Sequence, residues 1–352
     1  MDLKSMLRAA LDKRGSDIYI VPGSYVIGRI AGTMVPLSEE RVLPKDCEKL
    51  LQEIYSLAED RPMDKLLDGG DDDFSFSIKE MGRFRCNTYK QRGSLAAVLR
   101  AVPFGLPDPK TLGIPDEVLG MFNMKRGMVL VTGPGGSGKT TTLACLIDKI
   151  NHERSGHIIT LEDPIEYLHP HRNCIVSQRE IINDTQSFAR ALRAAMRQVP
   201  DVILLGEMRD YETISTALTA AETGHLLLST LHTVGASKTI DRIVDVFPAG
   251  QQQQVRVQMS MVLQAVVSQQ LIPTLDGGLA PAFEIMFVNS AIQNIIREGK
   301  VHQLDNAIYA GAQQGMRTMD SDILKLYRDG RISQDNALLY ATNPDALARK
   351  LI

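Results

Sequence analysis

The sequence predicts an α/β protein in which a doubly wound, mostly parallel sheet follows a small α+β domain. Three observations predict it. A glycine-rich stretch, Gly133 to Thr140, stands between the apolar run Met128 to Thr132 and a helical pattern of Leu143, Leu146, Ile147 and Ile150. Four short apolar runs, from Met128, His157, Val202 and Leu226, alternate with helical patterns, as buried parallel strands do. Ahead of them, β-rich stretches and two amphipathic helical patterns gather within the first hundred residues.

In chain order, Leu3, Met6, Leu7, Ala10 and Leu11 give a first amphipathic helix, with Gly15 read as its C-terminal cap. Asp17 to Val21 and Tyr25 to Ile30 read as a hairpin broken at Pro22 and Gly23, and a helix is expected from Lys45 to Leu57. Strands are expected at Phe74 to Ile78, Arg83 to Tyr89 and Leu95 to Arg100, with Asp71 to Asp73 as a solvated turn. Prolines 103, 107, 109 and 115 mark a stiff connector over residues 103–115, so the domains are expected at 1–110 and 111–352. Beyond Asp241 the chain reads as a mostly helical extension.

Composition narrows the function classes. A formal net charge of −3 over 352 residues offers no general basic surface, so no nucleic-acid partner is expected. No apolar run is long enough to span a bilayer, and the first residues lack a signal-peptide core; a cytoplasmic protein is expected, at most docked on a membrane. Cys47, Cys86, Cys145 and Cys174 stand singly and read as ordinary thiols.

The glycine-rich stretch is a phosphate-binding loop. Gly133, Gly135, Gly136 and Gly138, with Ser137 between them, let successive backbone N–H groups converge on phosphate oxygens at the positive end of the following helix. Lys139 would reach the β- and γ-phosphates of ATP, and Thr140 would ligate Mg²⁺, with Thr141 beside it.

Each parallel strand ends in polar residues, and ligands of such sheets sit at those ends. Glu207, closing the apolar run 202–205, is the leading candidate for the carboxylate that acts on water or metal; the alternative is a plain ion pair with Arg209. Glu162 and Asp163 close the preceding strand, where one could polarise water and the other hold the metal through its shell. His232 is placed to sense the γ-phosphate, whereas His225 reads as structural. Arg83 and Arg85, two apart on a strand, share a face that is either solvated or closes onto the γ-phosphate.

Taken together, the phosphate loop, Leu161 to Glu166, Gly206 to Asp210 and Thr223 to Thr233 resemble, in this order, the secretion and pilus motor ATPases, and within them the type IV pilus retraction ATPases. The resemblance implies a PAS-like N-terminal domain, a RecA-like motor domain and a homohexamer that turns hydrolysis of ATP to ADP and phosphate into movement. It implies that Glu207 is the catalytic carboxylate, that Glu162 and His232 support it, and that Arg83 and Arg85 approach the phosphates. An inner-membrane pilus platform protein and a paralogous retraction ATPase are the implied partners, met at the cytoplasmic face of the inner membrane. Assembly ATPases of the superfamily usually carry an extra N-terminal domain and a four-cysteine zinc site, neither of which is seen here. The segment Ala291 to Glu298 resembles the retraction family's Ala-Ile-Arg-Asn-Leu-Ile-Arg-Glu, departing from it at Gln293 and Ile295. An accessory retraction paralogue, or an assembly or type II secretion ATPase, is the alternative, and a RecA-like nucleic-acid motor a more distant one.

Overall fold

The computed structural model describes residues 2–13, 15–30, 32–102 and 105–351. The chain divides into two compact units: Met1–Gly105 with Glu166–Leu168, and Leu106–Ile165 with His169–Ile352.

The small unit runs α1 (Leu3–Asp12), β1 (Gly15–Ile20), β2 (Ile27–Ile30), β3 (Thr33–Pro36), α2 (Pro44–Leu57), α3 (Asp64–Gly69), β4 (Asp71–Ile78), β5 (Gly82–Gln91) and β6 (Ser94–Val102). Its strands form one antiparallel sheet in the order β3-β2-β1-β6-β5-β4. Leu3 and Leu7 of α1, Leu51 and Ile54 of α2, and Ile18, Ile20, Phe84 and Leu99 from the strands share its core. Period-two alternation turns Phe84 and Cys86 inward and leaves Arg83 half-buried and Arg85 exposed on the opposite face.

Two expectations are corrected here. Gly15 opens β1 rather than capping α1, whose last turn is closed by the Lys13 N–H on the Leu11 carbonyl. Asp71 to Asp73 are strand rather than turn, because the alternation that buries Phe74 and Phe76 also turns Asp72 inward. Its carboxylate accepts from Arg61 Nε at 2.9 Å and Lys65 Nζ at 3.0 Å, and Tyr55 Oη lies 3.3 Å away, so the buried charge is paired.

The large unit contains α4 (Asp116–Leu119), β7 (Gly127–Thr132), α5 (Lys139–Glu153), β8 (Gly156–Glu162), β9 (Cys174–Glu180), α6 (Phe188–Ala195), β10 (Val202–Leu205), α7 (Tyr211–Glu222), β11 (Leu226–Leu231), α8 (Ala236–Asp245) and α9 (Ala249–Val262). It continues through β12 (Leu263–Pro273), β13 (Leu279–Phe287), α10 (Ser290–Arg297), α11 (Leu304–Ala310), α12 (Met319–Arg328), α13 (Gln334–Tyr340) and α14 (Pro344–Ala348). The sheet order is β13-β12-β7-β11-β10-β8-β9, parallel throughout except for β13.

Every residue of β7, β10 and β11 is buried, because helices cover both faces. One face packs Leu146, Ile147 and Ile150 of α5. The other packs Leu192 of α6, Leu218 of α7, Ile240 of α8 and Met259 of α9. This is the RecA-like core, and its central order places β7, β11, β10 and β8 side by side.

The helical reading beyond Asp241 is corrected by β12 and β13, an antiparallel pair whose inner strand extends the sheet beside β7. Helix α9 runs straight into β12 with no glycine or proline between them, so the chain carries no turn signal at that junction. From Ser290 onward it is helical. Among the described residues no helix is long and apolar enough to cross a membrane.

Candidate nucleotide site

Strand β7 delivers the chain into the phosphate loop, and the loop's shape requires glycine. Gly133 has φ +146°, and a Cβ there would stand 2.1 Å from the Gln269 carbonyl oxygen on β12. Gly136 and Gly138 have φ +74° and +87°, left-handed values that side chains disfavour. Gly135 faces open space. Ser137 and Lys139 are buried, while Thr140 and Thr141 are half-buried in the first turn of α5. Lys139 Nζ donates to the carbonyls of Gly133 at 2.9 Å and Pro134 at 2.8 Å, so its charge lies within the loop.

Glu207 follows the end of β10 and is only 14% exposed. Arg209 Nε lies 2.6 Å from its Oε2, and His232 Nε2, just beyond β11, lies 3.6 Å from the same oxygen. The ion pair that the sequence offered as an alternative for Glu207 is therefore present, and His232 is drawn to the same carboxylate.

Glu162 ends β8, 6% exposed; Thr160 Oγ1 donates to its Oε1 at 2.6 Å and Gln178 Nε2 at 3.2 Å. Asp163 is exposed just past that strand. Registers put Leu161, Leu205, Ser229 and Leu130 level across β8, β10, β11 and β7. The phosphate loop, His232, Glu207 and Glu162 thus leave successive strands on the same edge of the sheet. Adjacent strands are about 4.8 Å apart, so Glu207 leaves two strands from the loop's own strand and Glu162 and Asp163 three, about 14 Å.

His225 lies at the opposite end of β11, its Nδ1 3.0 Å from the Ala220 carbonyl oxygen and 3.1 Å from Thr223 Oγ1. Arg83 and Arg85 are on β5 of the small unit; Arg85 pairs in register with Arg100, whose Nε donates to Asp17 at 2.8 Å.

Sequence reasoning missed Gln269. Its Oε1 accepts from Thr142 Oγ1 of α5 at 2.7 Å, and its Nε2 would lie 2.9 Å from a Cβ placed on Gly138. The residue is buried on β12 against the loop, a placement that no local pattern in the sequence marks.

Comparison with known proteins gives the chain relatives. The sequence profile of the family described as "Type II/IV secretion system protein" matches residues 1–314. The type IV pilus retraction ATPase PilT of Pseudomonas aeruginosa is 42% identical over 345 residues, 98% of this chain and 99% of its own length. The type IV pilus ATPase PilU of the same organism is 36% identical over 348 residues, 99% of this chain and 90% of its own length. A crystal structure of the pilus retraction motor PilT with bound ADP matches with a TM-score of 0.91 at 46% identity, covering 99% of both chains.

Proposed function

The chain belongs to the Type II/IV secretion system protein family, and from that premise we propose that it is the ATP-hydrolysing motor of type IV pilus retraction, which depolymerises pilin and drives twitching motility. The observation that carries this reading is the single sheet edge on which the phosphate loop, His232 and Glu207 stand side by side, in a chain similar to retraction motors over nearly its whole length.

Gly133 to Thr141 would hold the ATP phosphates, with Lys139 moving from the Gly133 and Pro134 carbonyls onto the β- and γ-oxygens. Glu207 would orient the attacking water and accept its proton as the bond from the terminal phosphorus to ADP breaks, yielding phosphate. His232 would hold the Glu207 carboxylate and sense the γ-phosphate, while Glu162 steadies the neighbouring strand end.

The donors fit a small hard cation, since they are all oxygens: the Thr140 hydroxyl, with Asp163 reaching Mg²⁺ only through water. Bound there, Mg²⁺ would neutralise phosphate charge. Arg83 and Arg85 of the small domain would approach the phosphates within a homohexamer. The ring would work at the cytoplasmic face of the inner membrane against a pilus platform protein, with a PilU-like paralogue as a further partner.

A second reading is the accessory retraction motor, favoured by the similarity to PilU and by Gln293, which lacks the positive charge usual at that place in the retraction segment. One experiment separates the readings. Cells lacking the gene are complemented with the wild type or with Glu207→Gln, and surface pili are counted alongside twitching. The main retraction motor gives excess pili and no twitching until the wild type is restored. Bald cells would mean assembly, and an unchanged count an accessory role.

A further inference from the structure

Thr132 on β7, Ser268 on β12 and Glu284 on β13 are in register, so they form one row across three strands, and all three are buried. The row lies beside the segment that leads from His232 into α8. Gly235 N donates to Ser268 Oγ at 2.9 Å, and Ala236 N to Glu284 Oε1 at 2.8 Å. Within the segment, Thr239 Oγ1 donates to the Gly235 carbonyl, and Thr233 and Thr239 hydroxyls are 2.8 Å apart.

The other carboxylate oxygen of Glu284 meets a different element: Met319 N, at the start of α12, lies 3.5 Å from Oε2. Among the described residues no cation pairs with this buried carboxylate. Its partners are backbone N–H groups at the starts of two helices. A buried carboxyl is a costly way to cap a helix when the short side chains of Ser187 and Asn289 cap α6 and α10. The position explains it: Ala236 is four residues from His232, and the row begins at Thr132, the residue before the phosphate loop.

We propose that Glu284 is a positioning residue that fixes the His232 segment to β13 and to the start of α12. A shift of the C-terminal helices then reaches His232 through one carboxylate, without any contact between those helices and nucleotide. This rests on the reading of His232 as a member of the nucleotide site.

The test uses the full-length protein, with hydrogen exchange of the peptide covering residues 232–240 and steady-state ATP hydrolysis measured side by side. Glu284→Ala is expected to speed exchange at Gly235 and Ala236 by about tenfold and to lower kcat by about tenfold, with KM changed less than about twofold. Glu284→Gln keeps one acceptor oxygen and should recover much of both. Adding Glu284→Ala to His232→Ala should cost no further kcat. Should Glu284→Ala not fold, Ser268→Ala removes the neighbouring acceptor and reads the same peptide. Unchanged exchange over 232–240, or a kcat loss that multiplies with that of His232→Ala, would overturn the proposal. Wild-type kcat in His232→Ala alone would instead remove the histidine from the site, and exchange would still decide whether Glu284 positions the segment.

Discussion

His232 Nε2 and Arg209 Nε converge on a single oxygen, Oε2 of Glu207, at 3.6 Å and 2.6 Å. The Arg209 side chain is 73% exposed and that of His232 56%, and His232 follows directly from the buried strand β11. His232→Ala removes the ring that stands against the Glu207 carboxylate and is expected to lower kcat by about tenfold, about 1.4 kcal/mol. Steady-state hydrolysis checks it; a loss in KM alone would place His232 in substrate binding instead.

The loop glycines should differ sharply. Gly133→Ala drives a methyl group into the Gln269 carbonyl at 2.1 Å, and it is expected to lower nucleotide affinity by more than about 100-fold with a clear loss of thermal stability. Gly135→Ala meets open space at an ordinary φ and should leave the melting temperature within about 1 °C. Calorimetry and nucleotide titration on the two variants check the contrast.

Asp72 makes stability depend on pH. Burial alone would push its carboxyl up, but hydrogen bonds from Arg61 and Lys65 outweigh it and hold the carboxyl below its ordinary 3.8. A depressed carboxylate contributes stability fully above its unfolded value and loses it as pH falls through the lower folded value. Asp72→Asn is expected to cost about 3 kcal/mol at neutral pH, and the gap to wild type should narrow below about pH 4. Urea unfolding at pH 7 and pH 3, followed by circular dichroism, checks both the size and the sign.

Ile182, between β9 and α6, holds φ +76° with 71% of its surface exposed, and Val199 holds φ +53° with 85% exposed. A branched side chain in this left-handed region is strained and gains little burial in return. Ile182→Asn should raise stability by about 1 kcal/mol and the melting temperature by about 2–4 °C. An unchanged or lower melting temperature would show that the isoleucine packs against something of greater value than the strain.

The readable parts of the chain were those whose pattern has one physical meaning. Strands β7, β8, β10 and β11 are short apolar runs closed by polar residues, and their ends mark Glu162, Glu207 and His232 directly. Strand β9 escaped notice because, at the sheet edge, it carries Ser177, Gln178 and Arg179. Strands β12 and β13 escaped because Gln264, Ser268, Gln269 and Gln270 in the first and Pro281 and Glu284 in the second break the apolar run that marks a buried strand. Asp72 looked solvated beside Gly69 and Gly70, since nothing local reveals that Arg61 and Lys65 close over it. Gln269 and Glu284 owe their roles to neighbours 127 and 48 positions away along the chain, a relation that no local pattern records.

Whether Glu207 acts on the water attacking ATP held by the Gly133 to Thr141 loop is decided by Glu207→Gln. The amide preserves shape but cannot accept the proton. Nucleotide affinity is expected to stay within about threefold of wild type while kcat falls by about 100-fold or more. Hydrolysis at the wild-type rate with nucleotide still bound would contradict that role of Glu207.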